Sequence, residues 1–312
     1  MENLLLSINV VFPLLVLLIC GFLLRKWNFI NDEVNDKMNK LVSQVFLPFL
    51  VFNNIYSCNS TEILNSKVML LVFFGILFEF AAAFVYVKFF EKDTKKKGVI
   101  MQGMFRSNFV IFGLPIAISI YGDEGGAYSA VLTMLAVPMY NFLAVIALEI
   151  FASGNVNIKE LSKKVLTNTL ILGSIAGILF SLLHIQIPDM LYEPISSISG
   201  MVTPLAFILL GSSLKLSSTA LHKKQLIISV VVRLVVFPAI LLFIAIKLGF
   251  TGVWLVALLA LFASPTAVSS FPLTKAIGGD SDLAGNIVVF TTTLSVVTMF
   301  VWVYIFNLLN LI

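Results

Sequence analysis

Residues 112–125 read FGLPIAISIYGDEG and residues 270–280 read SFPLTKAIGGD, each placing a proline inside an apolar run long enough to cross a bilayer. Proline lacks the backbone donor that a helix needs and clashes with the preceding turn. A lone proline in such a run is most simply a kink, and Pro13, Pro138 and Pro238 are read that way. Pro115 and Pro272 differ because they match: at a shift of 157 residues both head the pattern P-x4-I-x-G-D, ending at Gly122-Asp123 and Gly279-Asp280. A shift of 156 aligns Ile19 with Ile175, Gly21 with Gly177, Pro48 with Pro204 and Lys67 with Lys223. The chain therefore reads as two related halves.

The composition sets the class. Of 312 residues, 59% are hydrophobic and 12% charged, outside the usual range of a soluble domain. Spans of about 20 apolar residues are expected at 4–24, 41–56, 67–90, 98–121, 128–151, 165–184, 195–215, 225–248, 252–278 and 284–310. The expected fold is an all-α polytopic membrane protein of ten spans. The first run is too long for a signal-peptide core and has no small-residue cleavage site after it, so it is read as a helix of the mature chain. No connection is long enough for a soluble domain.

The net charge of +4 is a topology signal, and no nucleic-acid partner is expected. Connections after the odd spans hold Arg25, Lys26, Lys37 and Lys40; Lys88, Lys92, Lys95, Lys96 and Lys97; Lys159, Lys163 and Lys164; Lys215, Lys223 and Lys224. The even side holds only Lys67 and Lys247. The positive-inside rule makes the odd connections cytoplasmic and puts both termini outside. Cys58 then lies on the outer face, open to an impermeant thiol reagent, and a disulfide with Cys20 is not expected.

Five spans in each half oblige the second half to enter from the opposite side. The expected organisation is a first inverted repeat at 1–151, a cytoplasmic linker at 152–164 and a second inverted repeat at 165–312. Matched Gly/Pro-interrupted spans in such repeats point to a binding site. If spans four and nine unwind before their prolines and cross, short half-helices beginning at Ile116 and Leu273 offer N–H groups to an anion. Gly113, Ser269 and Ser270 lie in these segments. Lys275 either adds a positive charge there or reaches toward the cytoplasmic surface.

Among nearby polar residues, Ser107, Ser264 and Thr266 read first as caps or packing residues. Asn108 reads as a substrate contact, because a buried amide needs partners for donors and acceptors alike, and Tyr140 and Asn141 after Pro138 form a second polar notch. Ionisable residues inside spans are costly and therefore candidates for function. Glu79 lies mid-span, and Arg106 and Arg233 lie about 12 Å from the cytoplasmic end by helical rise. A pair between Glu79 and one arginine serves either structure or coupling and gating. There is no phosphate loop, no H-E-x-x-H, and no pair of intramembrane aspartates. The histidines His184 and His222 lie at span ends, so no metal, cofactor or catalytic constellation is expected.

These features together resemble the auxin efflux carrier family, which includes plant auxin exporters and bacterial malate and other carboxylate permeases. The resemblance covers the whole chain and rests on FPLLVLLICGFLLRKWNFI, LVSQVFLPFLVFNNIY, FRSNFVIFGLPIAISIYG, AVPMYNFLAV and ASPTAVSSFPLTKAIGGD in that order. It implies a fold like that of bile-acid sodium symporters, with crossed spans four and nine. Spans 1, 2, 6 and 7 would form a scaffold, with a homodimer through spans 2 and 7. Spans 3–5 and 8–10 would form an elevator-type transport domain for a small organic anion. Asn108, Pro115, Asn141 and Pro272 match the family's substrate region. Asn168 is followed by Thr169 where the family often has Asn-Pro, a departure in the expected scaffold. The short connection after span five fits a compact permease better than a plant-type exporter. The resemblance leaves open proton coupling, sodium coupling or uniport. A cation antiporter and a non-transporting sensor are the alternatives; the first would want an intramembrane aspartate at the crossing and the second an attached signalling domain.

Overall fold

The computed structural model describes residues 2–57, 65–152, 163, 167–183, 185–213 and 222–312. Cys58, Lys159, Lys164, His184, Lys215 and nearly all of the linker lie outside the described residues. The described chain is helical: α1 (Glu2–Lys26), α2 (Asp32–Leu41), α3 (Leu47–Tyr56), α4 (Ser66–Phe90), α5 (Thr94–Phe105), α6 (Leu114–Ala152), α7 (Thr169–Leu182), α8 (Asp189–Ser213), α9 (Lys223–Val231), α10 (Phe237–Lys247), α11 (Gly252–Phe262), α12 (Ser270–Ile277) and α13 (Ser281–Leu308). Among the described residues, five helical stretches are long and apolar enough to cross a membrane: 66–90, 109–152, 189–213, 223–247 and 281–308. Helices α7 and α11 are shorter and apolar. The protein is a multi-pass membrane protein. Only 39% of the apolar window of α4 or of α13 is buried inside the chain, so most of that surface is left for lipid.

Three prolines shape their helices in the same way. Pro48, Pro115 and Pro238 each follow a five-residue π-helical turn, at Val42–Phe46, Phe109–Gly113 and Val232–Val236. The extra residue in a π turn gives room for a ring that would otherwise press on the carbonyl four residues back. For Pro238 that carbonyl is Leu234, and the indole Nε1–H of Trp302 donates to it at 3.1 Å. A neighbouring helix has restored the bond that the proline removed.

The second expected span is longer than its apolar run. Helix starts at Asp32, with Asn31 accepting from the Val34 N–H as its N-cap, and passes through the π turn into α3. Its polar first half is retained because one face is buried: Asn35, Asn39 and Ser43 point inward against α8 and α12, while Glu33 and Lys37 pair on the outside at 2.7 Å.

Helix α1 lies against α8 and α3 against α7. A Cβ on Gly21 would fall 2.0 Å from the Ile208 carbonyl oxygen, so a side chain there would force the two helices apart. Helices α4, α5, α6, α9, α10, α11 and α13 pack with one another around a core that includes the fully buried Phe105, Phe112 and Phe262.

The two Gly-Asp turns are legible in the backbone. Gly122, at φ 59 and ψ −144, separates the two halves of α6, and Gly278, at φ 88, ends α12. Few residues other than glycine adopt such angles. Asp280 then caps α13, accepting from the Leu283 N–H at 2.9 Å.

Candidate functional site

Two helices stop in the middle of the molecule. Helix α5 ends at Phe105 and helical structure resumes at Phe109; α11 ends at Phe262 and resumes at Ser270. The extended segments pair antiparallel through Ser107 and Thr266, with the Asn108 N–H donating to Pro265 O at 2.8 Å and the Ala267 N–H to Arg106 O at 3.0 Å. The breaks therefore cross, as the paired prolines predict. They lie upstream of the expected position: seven residues separate Asn108 from Pro115.

A helix end in the core must find donors for its last carbonyls. Here Thr266 Oγ1 donates to Gly103 O at 2.7 Å, Ser107 Oγ to Leu261 O at 2.6 Å and Ser264 Oγ to Ala260 O at 2.5 Å. Arg233 supplies the rest, its Nε to Ser264 O at 2.8 Å, Nη1 to Phe105 O at 3.0 Å and Nη2 to Leu261 O at 3.3 Å. These hydroxyls and this guanidinium fasten the crossing. Glu79 stands beside Arg233 at 3.5 Å, both fully buried.

Arg106 is placed differently. It is the residue after α5, 2% exposed, and its guanidinium donates to Gln102 Oε1 at 3.0 Å and to Asn141 Oδ1 at 2.9 Å. Both partners are neutral amides, and among the described residues no carboxylate forms an ion pair with it. Next to it Asn108 is 5% exposed, and its Nδ2 has no hydrogen-bond partner.

Arg106, Asn108, Tyr140, Asn141 and Ser269 line a cavity of about 60 Å³, closed on its far wall by Leu47, Leu50 and Val51 of α3 and Leu170 of α7.

The structure brings five of the expected site residues to this cavity and leaves others out. Gly113 faces α11, where a Cβ would fall 2.3 Å from Ala260 O; its role is close packing. Pro115, Ser270 and Pro272 are outside the cavity lining. The half-helix expected to present the Leu273 N–H does not do so, since that group donates to Ser269 O at 3.2 Å. Ile116 lies inside α6. Lys275 points away from the crossing: its Nζ pairs with Asp36 at 2.8 Å and donates to Asn35 Oδ1, tying α12 to α2. Asn35 in turn donates to Leu209 O at 3.0 Å in α8.

Sequence reasoning missed Asn54 on the cavity wall, Gln102 beside Arg106 and the Asn35 network. Asn54 and Asn35 are the kind of polar residue at a span position that flags Asn108, and Gln102 sits one helical turn before Arg106.

Comparison with known proteins gives the family. The profile of a family described as membrane transport protein matches residues 6–160 and 155–303. The chain belongs to this membrane transport family, the auxin efflux carrier group that its motifs resemble. An uncharacterized transporter of Methanocaldococcus jannaschii is 25% identical over 303 residues, covering 95% of this chain and 98% of that protein. One from Methanothermobacter thermautotrophicus is 22% identical over 298 residues, covering 95% and 97%. A crossing of two interrupted helices beside a polar cavity is thus found in a membrane transporter.

Proposed function

We propose that this transporter moves a small organic anion with a carboxylate group across the cytoplasmic membrane by alternating access, and that Arg106 holds the carboxylate. The observation that carries this is the unpaired state of Arg106. A guanidinium taken out of water loses several kcal/mol of hydration unless an anion and good hydrogen bonds replace it. Neutral amides orient Arg106 and leave its charge uncompensated. A carboxylate in the adjoining cavity would supply the missing charge through a short charge-assisted bond, and the buried Asn108 Nδ2 donor would gain the acceptor it lacks.

Arg106 joins the half-helix N-termini as an anion-binding element, and those N-termini lie at Phe109 and Ser270, upstream of Ile116 and Leu273. Both face the cavity, at Phe109–Ile111 after the N-cap Asn108 and at Ser269, the N-cap of α12, and their positive partial charge adds to that of Arg106. The cavity lies between two groups of elements: residues 106–111 after α5, α6 and the segment before α12 on one side, and Leu47, Leu50, Val51 and Asn54 of α3 with Leu170 of α7 on the other. In this reading ten spans form two inverted repeats with both termini outside, and the helices around the crossing slide as a unit against α1, α3, α7 and α8.

The test is uptake into proteoliposomes from a panel of malate, succinate, lactate and indole-3-acetate. At least one should accumulate with wild-type protein and fail to with Arg106→Gln. Uptake of none of them, or equal uptake by both proteins, overturns the reading.

A further inference from the structure

Glu79 is 0% exposed on α4, and the simplest account of it is half of an ion pair with Arg233. Three features argue for more. The nitrogens of Arg233 are all engaged by backbone carbonyls. Those carbonyls lie at the C-terminal ends of α5 and α11, and each helix end carries roughly half a negative charge. Two such ends balance the guanidinium without help from Glu79. The carboxyl itself is loosely held: Oε2 accepts from the Tyr140 hydroxyl at 3.4 Å, and Oε1 faces Arg233 Nη1 at 3.5 Å without a hydrogen bond. A buried anion without close hydrogen bonds is costly, and a neutral carboxylic acid there costs less.

Tyr140 also lines the cavity that holds Arg106 and Asn108. Its hydroxyl is the one polar link described between Glu79 and that cavity. Arg233 and Tyr140 are the charged and titratable groups beside Glu79 among the described residues; α5 offers it Phe105, packed between the rings of Phe80 and Tyr140.

We infer that Glu79 is a proton-binding site coupled to the anion cavity through Tyr140, so that one proton travels with each substrate carboxylate. With Glu79 ionised, the Tyr140 hydroxyl donates to it and a negative charge stands behind the cavity wall. With a proton on Glu79, that charge is gone and the hydroxyl is free to donate to the incoming carboxylate. Proton and anion then favour each other's binding by the same factor, as linkage requires. This inference rests on the anion-transport reading, and its test separates the two.

The first arm needs no substrate. Infrared difference spectra of the full-length protein in liposomes, taken between acid and alkaline pH, should show a buried carboxylic C=O band that disappears on raising pH and is missing from Glu79→Gln. The second arm measures malate and succinate uptake with an inward proton gradient. With the membrane potential clamped at zero, the steady-state accumulation ratio in wild type should rise by about tenfold for each unit of pH difference, the ratio of proton activities. Glu79→Gln should transport without responding to the gradient, and Tyr140→Phe should lose most of the response while keeping its fold. The inference is overturned by a wild-type spectrum without the titrating band, or by a gradient response that survives in Glu79→Gln. Failure of every carboxylate to move sinks the anion reading, and the infrared arm still decides the proton site.

Discussion

Arg106 and Arg233 are two arginines buried to 2% and 0% at the same crossing, and they have opposite surroundings. Arg233 donates to three backbone carbonyls and stands 3.5 Å from a carboxylate. Arg106 touches two neutral amides and a cavity. The first has every partner that a buried cation needs, supplied by helix ends that would otherwise be unsatisfied, so it serves the fold. The second has been oriented but not neutralised. A residue that is expensive to bury and incompletely compensated by its own protein is where a ligand of opposite charge completes the structure. Burial alone would have ranked the two arginines as equals.

The comparison can be broken by exchanging their consequences. Arg233→Leu removes the donors that fasten α5 to α11 and should destabilise the protein by about 3–5 kcal/mol, the usual result of breaking a buried charge network. This would appear as poor recovery of folded protein and early thermal unfolding in detergent. Arg106→Gln should do the reverse: melting unchanged or slightly higher, because an uncompensated buried charge is gone, with uptake reduced about 100-fold through the loss of about 2–3 kcal/mol of charge-assisted binding. Equal melting losses in the two variants would erase the distinction.

Asn108→Ala sharpens it. Loss of one hydrogen bond to a carboxylate is worth about 1.5 kcal/mol or more, so the KM for uptake should rise about tenfold with maximal rate and stability nearly kept. Smallest is Lys275→Gln. Its ion pair with Asp36 has one partner with a 66% exposed side chain, and such pairs contribute about 0–1 kcal/mol. Substrate affinity should be unchanged, contrary to a role at the crossing. A KM change as large as that of Asn108→Ala would return Lys275 to the site.

Much of this was legible in the sequence, for identifiable reasons. The crossing was visible because Pro115 and Pro272 share a local pattern, and local patterns need only adjacent residues. Its exact place was not visible. Unwinding at residues 106–108 is fixed by bonds from Asn108 to Pro265 and from Thr266 to Gly103, contacts between segments about 160 residues apart in the chain. The prolines act downstream, where Pro115 sets a π turn. Glu79 was expected beside an arginine; α4 packs against α5, which leads to Arg106, yet it is Arg233 whose guanidinium reaches Glu79, while that of Arg106 turns to Gln102 and Asn141. Lys275 illustrates the same limit: its carboxylate partner lies in a span whose polar first turns hydropathy had assigned to a connection.

The most direct measurement is a thermal-shift titration of wild type, Arg106→Gln and Asn108→Ala with malate, succinate, lactate and indole-3-acetate at constant ionic strength. Ligand binding to the folded state raises stability by mass action. Wild type should be stabilised by at least one of these acids, Asn108→Ala should need a higher concentration for the same shift, and Arg106→Gln should not respond. A shift of equal size in wild type and Arg106→Gln would contradict the claim that the unpaired arginine at the crossing is the anion's partner.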